Sequence, residues 1–327
     1  MTKLQLTMAV SHYDHVMDIL LGRVRAEGID LNIMELHLHD IFQRTVGFAD
    51  FDIAEMSMAK YVSMRSQGDD RLIALPVFFS RVARHSAIYV RRDRIKTAAD
   101  FAGKRIGVPE WAQTAAVYGR GVLAHELKVD LRTVKWVQAG LGEAGRAEKV
   151  PLKLPAGLEV MPIADRSLTD MLDTGDLDGV IAATPPDCFH SNPDIVRFFE
   201  NPLEAEMDYA RRTKIFPIMH GVVVKKTVLD AHPWVAGNLF AAFDEARHHS
   251  LHRMAFPGAT HVPVPWIADW VKKTQEVMGE DFWPYGIEPN RPTLEAFLRF
   301  AFEQGVCHRL MKPEEIFPPQ THKAVRV

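Results

Sequence analysis

The feature that most constrains the fold is the regular exchange of two hydrophobic periods along the chain. In "KLQLTMAV", Leu4, Leu6, Met8 and Val10 alternate with Lys3, Gln5 and Thr7, the period of a strand with one buried face. A helical pattern around Val16, Leu20 and Leu21 follows and ends at Gly22 or Gly28. "GIDLNIMELHLH" alternates again, "IFQRTVGF" has helical spacing, and "FDIAEMS", "RLIALPVFF" and "HSAIYV" complete a first group of strands. Strands that alternate with helices predict an α/β fold with a largely parallel sheet.

A second unit of the same kind begins near "KTAADFAGKRIGVPEW". It continues with a strand at "RIGV", a helix from about Ala112 to Leu127, a strand at "VKWVQ", and helix, turn and strand within "SLTDMLDTGDLDGVIAAT". The Gly- and Pro-containing stretch from Gly140 to Ala156 reads as a charged surface loop. "KIFPIMHGVVVKK" reads as a strand pair bent at Pro217, and the remainder to Phe302 as helical. A chain of 327 residues, 47% hydrophobic, is long enough for two cores. The expected organisation is a first lobe of residues 1–94 and 215–327 with a helical tail, and a second lobe of 95–214. The chain would cross near Arg92 to Lys96 and near Tyr209 to Lys214, with a ligand cleft between the lobes at the carboxyl ends of the strands. The tail either packs on the first lobe or offers a surface for a homo-oligomer.

Charge and cysteine content exclude several classes. A formal charge of −3 gives no basis for a nucleic-acid or acidic-membrane partner. The two cysteines, Cys188 and Cys307, make neither a disulfide framework nor metal-type spacing. The N-terminus, with His12, Asp14 and His15 close behind its apolar stretch, is a poor signal peptide. No run approaches the roughly 20 apolar residues of a membrane span. The expectation is a soluble, cytoplasmic protein.

In a parallel sheet the segments after each strand face one crevice. Those segments are "SHYDH", "HLH", "EMSM" with Ser57, and "SRVARH" with Arg81, Arg84 and His85. Arg81 and Arg84 are either solvated turn residues or a fork for a carboxylate, which guanidinium binds with two parallel hydrogen bonds. His85 is either a structural histidine or a proton donor. Asp14 either caps the following helix or orients His12 or His15 for acid–base work near neutral pH. His37 and His39, two apart in a strand pattern, share a face and make an incomplete metal pair; no H-E-x-x-H accompanies them. His248, His249 and His252 lie beside Arg247 and Arg253, as on a solvated basic face. In the second unit, the helix start at Gln113 and Thr114 either caps itself or binds an anion on its free N–H groups. Thr184 ends another strand, and His220 lies where the chain has returned to the first lobe. "GLGEAG" (Gly140 to Gly145) lacks the following helix of a dinucleotide fingerprint.

Four segments, "ALPVFFSRVARHSAIYV", "DFAGKRIGVPEWAQTAAVYGRGVL", "PIMHGVVV…HPWVAGNLFAAF" and "WPYGIEPNRPTLEAFLRFAFEQGV", resemble the 4,5-dihydroxyphthalate decarboxylase family in order along nearly the whole chain. The resemblance implies a two-lobed type II periplasmic-binding-protein-like fold with an inter-lobe cleft. It also implies non-oxidative decarboxylation of a dihydroxylated aromatic acid. Such a reaction holds a carboxylate, ionises a phenol and protonates the ring carbon that loses CO2. On this scheme Arg81 and Arg84 bind one carboxylate and the Gln113–Thr114 helix start a second. His85, or His12 held by Asp14, gives the ring proton, and His15 or His37 takes the phenol proton. Ser57, Thr184 and His220 complete the expected cleft. No cofactor is needed, although a divalent ion on the catechol oxygens would lower their pKa. The rival expectations are a non-catalytic solute-binding protein for a small aromatic carboxylate or a pyrimidine-like ligand, and a metal-dependent hydrolase or decarboxylase using His37 and His39.

Overall fold

The computed structural model describes residues 2–321. In the first sheet, β1 (Leu4–Val10), β2 (Ile29–Glu35) and β3 (Ile53–Ser57) are linked by a short helix α1 (Met17–Leu20) and by α2 (Leu38–Phe48). Helix α3 (Met58–Ser66) then leads to β4 (Leu72–Arg81). Strands β1, β2 and β3 pair in parallel, as the alternation of periods requires.

The second sheet contains β5 (Ile88–Arg91), β6 (Arg105–Val108), β7 (Lys135–Gln138), β8 (Val160–Pro162), β9 (Gly179–Ile181) and β10 (Ile195–Arg197). Helix α4 (Thr114–Gly121) follows β6 and runs on through a π-helical turn, Val122–Glu126. Helix α5 (Leu168–Asp173) precedes β9, and α6 (Pro202–Thr213) follows β10. The return strand β11 (Ile218–Lys225) inserts into the first sheet, whose order becomes β2-β1-β3-β11-β4. The second sheet has the order β10-β5-β9-β6-β7-β8. A two-lobed α/β fold results.

Three local expectations change. "HSAIYV" supplies β5, which pairs antiparallel with β9 and β10 in the second sheet. The chain therefore leaves the first sheet after Arg81, earlier than the expected Arg92 to Lys96. "PIMHGVVV" is one strand rather than two, antiparallel to both β3 and β4. Because it runs backwards, its first residues lie at the carboxyl ends of its neighbours, with His220 opposite Ser57 and Ser80. Lastly, β2 stops at Glu35, and His37 is the N-cap of α2. His37 and His39 therefore do not share a strand face; a helix start breaks the alternation there.

The tail forms α7 (Lys226–Ala231), α8 (Trp234–Ala255), α9 (Ile267–Met278) and α10 (Arg291–Glu303). Helix α8 packs on β4 and on the turn after β1, while α10 packs on both α3 and α4. The junction with α10 is buried and closely packed. Arg120 is fully buried, with its guanidinium 3.6 Å from the Trp111 ring centroid. Its Nε donates to Gln304 Oε1 at 2.7 Å and an NH2 proton goes to the Trp111 carbonyl at 2.6 Å. Gly121 is required at this crossing, since a Cβ there would sit 2.5 Å from Phe300 Cδ2. Among the described residues no helix is long and apolar enough to cross a membrane. Replacing Gly121 by alanine forces the Phe300 ring or the α4 backbone to move. Overpacking of this kind costs about 1–3 kcal/mol, and the midpoint of urea unfolding followed by circular dichroism should fall accordingly.

Candidate active site

The cleft between the sheets holds a cavity of about 140 Å³. Ser57 at the end of β3, Lys60 on α3, His220 on β11, and His39, Phe42 and Val46 on α2 form one wall. Arg84, Ala183, Gln113, Thr114, Glu110, Arg146 and Lys149 form the other.

The walls are joined by a polar seam. Thr114 Oγ1 accepts the Ala59 N–H at 3.0 Å and lies 2.9 Å from Ser57 Oγ. The Lys60 ammonium is buried 2.6 Å from Glu110 and 2.5 Å from Glu148. Arg146 holds Glu110 from the other side at 2.6 Å. Burial alone would raise the Glu110 carboxyl, but Lys60 and then Arg146 outweigh it and keep it below the usual range. Within this group the charges balance.

Arg84 is different. It is only 8% exposed, and among the described residues no carboxylate lies within ion-pair distance of it. Its Nε–H points at Met219 Sδ at 3.2 Å and one terminal N–H donates to the Ala183 carbonyl at 3.2 Å. Burial lowers its pKa to about 10, which leaves the guanidinium charged at neutral pH. A buried cation on a cavity wall, with no carboxylate at ion-pair distance, has the chemistry to hold an anion.

His220 lies at the same cavity, its ring edge-on to Phe42 with centroids 4.8 Å apart. Its Nδ1 is 2.8 Å from Glu55 Oε1. Glu55 is wholly buried in β3 and also accepts the Tyr13 hydroxyl at 2.6 Å and the Ser11 N–H at 3.3 Å. Gln113 lines the cavity and has a buried Oε1 without a donor.

Of the residues expected from sequence, Ser57, Arg84, Gln113, Thr114 and His220 are thus brought together. The others lie elsewhere. His12 is exposed and pairs with Glu35 at 2.7 Å. Asp14 accepts the Ser250 hydroxyl at 2.5 Å, tying the turn after β1 to α8. His15 packs among Tyr13, Phe79 and Trp283. His85 is buried, 2.8 Å from Glu126, with Phe199 and Tyr209 against its ring. Arg81 donates to the Phe216 carbonyl at 2.9 Å and stacks on the Phe216 ring. His37 caps α2, and Thr184 is exposed in the turn after β9. Among the described residues no three His, Cys, Asp or Glu side chains are placed to hold a metal. Sequence reasoning missed Glu55, Lys60, Glu110, Arg146 and Glu148. A signal existed for two of them: Glu55 and Lys60 are lone charges inside short apolar runs, "IAEM" and "MAKYV".

Two mixed sheets with a lined cleft between them define the type II periplasmic-binding-protein-like class. Solved structures agree on the fold. A putative periplasmic sulfonate-binding protein SsuA from Methylobacillus flagellatus KT matches with a TM-score of 0.56 at 10% identity, covering 98% of this chain and 93% of its own. Protein AF1704 from Archaeoglobus fulgidus matches with a TM-score of 0.51 at 11% identity, covering 92% and 98%. No protein-family model matches the chain. Curated relatives are far more similar: 4,5-dihydroxyphthalate decarboxylase of Comamonas testosteroni is 38% identical over 330 aligned positions, spanning 100% of both chains. The enzyme of that name from Pseudomonas putida is 40% identical over 214, covering 64% of this chain and 83% of its own. The chain belongs to the 4,5-dihydroxyphthalate decarboxylase family.

His15 carries a pH prediction. Burial is the main cause that lowers its pKa to about 4, against the pull of Asp14, so folding favours the neutral ring. The unfolded chain takes up a proton near pH 6.5 that the folded one refuses until about 4. Stability from this group is therefore full above pH 6.5 and declines as pH falls towards 4. Between pH 7 and 4.5 the loss should be about 2–3 kcal/mol, and His15→Phe should show a correspondingly shallower acid dependence in denaturant titrations.

Proposed function

We propose that this chain is a cytoplasmic carboxy-lyase that removes CO2 from a dihydroxylated aromatic acid of the 4,5-dihydroxyphthalate type. The observation that carries this reading is Arg84: a buried, charged, unpaired guanidinium on the wall of a cavity that also holds a carboxylate-held imidazole. Arg84 binds a ring carboxylate, and the start of α4 at Gln113 and Thr114 receives the adjacent one, as two neighbouring carboxylates require. Phe42, Val46 and Met219 supply apolar surface for the ring.

The chemistry needs one proton per turnover. A ring hydroxyl pushes electron density to the carbon bearing the carboxylate. His220 Nε2–H protonates that carbon, the C–CO2 bond breaks, its electron pair restores the aromatic ring, and CO2 leaves. His220 then regains a proton from solvent. It replaces His85 and His12 as proton donor in this scheme, because those two lie outside the cavity. Glu110 is already held by Lys60 and Arg146, and Arg84 and Lys149 add positive charge to the walls, a poor ligand set for a divalent ion and one that suits a cofactor-free reaction.

Arg84→Met should lower kcat/KM for CO2 release by roughly 10- to 100-fold, the value of a lost charge-assisted hydrogen-bond pair. Substrates would be 4,5-dihydroxyphthalate and related hydroxybenzoates, assayed with and without chelator. Unchanged kinetics in that variant would overturn the assignment of Arg84. Turnover lost to chelator would return a metal to the scheme. Tight binding of these acids with no CO2 released would place the chain among the solute-binding proteins instead.

A further inference from the structure

Three adjacent strands of the first sheet converge on one atom. Strand β3 carries Glu55, and β11, paired antiparallel to β3, places His220 opposite Ser57. Paired side chains share a face, and so do residues two apart on a strand, so Glu55 and His220 are diagonal neighbours on one face. Irregularities in the β11–β4 pairing on both sides of His220 re-aim that residue locally. On the other side of β3, the turn after β1 brings in Ser11 and Tyr13. The Tyr13 hydroxyl and His220 Nδ1 both meet Glu55 Oε1, at 2.6 and 2.8 Å, while Ser11 N–H meets Oε2 at 3.3 Å.

A carboxylate with no exposed surface, inside a strand whose every residue is buried, is costly unless its lone pairs are filled. Among the described residues no lysine or arginine pairs with Glu55. With Glu55 as the carboxylate, its oxygens accept and never donate, so both groups on Oε1 present hydrogens. Burial and then the Glu55 charge push the Tyr13 hydroxyl well above its ordinary range, so it remains an O–H donor. The imidazole must present Nδ1–H. We infer that Glu55 and Tyr13 are positioning residues that fix His220 as its Nδ1–H tautomer and so reserve Nε2 for the substrate.

The consequence for the reaction follows from proton balance. When His220 is protonated, its extra hydrogen sits on Nε2, facing the ring, and Glu55 stabilises the imidazolium through Nδ1. After Nε2 gives its proton to the ring carbon, Nδ1–H stays with Glu55 and the ring keeps its orientation for the next cycle. Without the carboxylate, the neutral imidazole divides between two tautomers, and one of them has its proton on the wrong nitrogen for reprotonation. Tyr13 acts on Glu55 and not on the substrate; it keeps Oε1 in place.

The test combines a spectroscopic and a kinetic measurement. Protein labelled with 15N-histidine is observed by two-dimensional NMR at a pH where the ring is neutral, and His220→Asn identifies the resonance. The wild type should show the Nδ1–H pattern at His220, and Glu55→Gln, which can either donate or accept, should show mixed tautomers. The kinetic part rests on the decarboxylation proposed above. Glu55→Gln should lower kcat at least ten-fold with KM nearly unchanged, and Tyr13→Phe should lower it a few-fold. A wild-type Nε2–H pattern would overturn the inference, as would unaltered tautomer and kcat in Glu55→Gln. Should Glu55→Gln fold poorly, Tyr13→Phe with wild-type kcat would equally count against it. A wild type that releases CO2 from no tested acid would sink the proposed reaction, while the tautomer still decides the positioning role.

Discussion

The buried ammonium of Lys60 is the constraint on which the rest of the cleft depends. It projects from the first turn of α3 and ends between Glu110 and Glu148, carboxylates that belong to the opposite wall. A cation so placed is stabilised only if both acids hold their positions, and removing either partner of such a pair typically costs about 3–5 kcal/mol. Arg146 balances the second negative charge. The group therefore fixes the spacing of the two walls without adding net charge to the cavity. The neighbouring contacts of Thr114 with Ser57 and Ala59 repeat the link with neutral groups. With those charges cancelled, Arg84 is left, among the described residues, as a buried cation of the cavity with no carboxylate at ion-pair distance.

The helical tail reinforces this geometry from behind. Helix α10 lies across α3 and α4, so a segment late in the chain covers elements from both sheets. The contact tolerates no side chain at Gly121 and buries the Arg120 guanidinium against Trp111. The tail packs on the first lobe, as one of the two expectations had it, and the contact extends to the second lobe. The reason lies in the apolar face of α10, where Leu294, Phe297, Leu298 and Phe300 are all buried.

How far the site could be read in advance depended on what each residue needed to know. Gln113 and Thr114 start a helix after a strand, so local pattern alone put them at the cleft. Arg84 was visible as a charge between two apolar strands. Arg81, three residues earlier, carried the same signal, yet it is the last residue of β4 and turns towards Phe216 and Trp283. Alternation along a strand decides such matters, and an error of one residue at the strand end reverses them. His12, His15 and His85 lie away from the cavity lining for a related reason. Each follows a strand or begins one, but each found a nearer partner: Glu35, an aromatic cluster and Glu126.

The order of periods along the chain was enough to imply a two-lobed α/β architecture with largely parallel strands and a cleft at their carboxyl ends. Hydrophobic periodicity is local, and each strand–helix unit must cover its sheet in the same way. The resemblance of long segments to one decarboxylase family added the class of reaction. Which charges face the cleft follows from long-range packing. Glu55, His220 and Tyr13 are far apart in the chain; His220 meets Glu55 because β11 returns antiparallel between β3 and β4, and Tyr13 meets it from the turn after β1, which pairs with β3 on the other side. Strand insertion of that kind depends on the closing of the whole first sheet, and no local pattern encodes it.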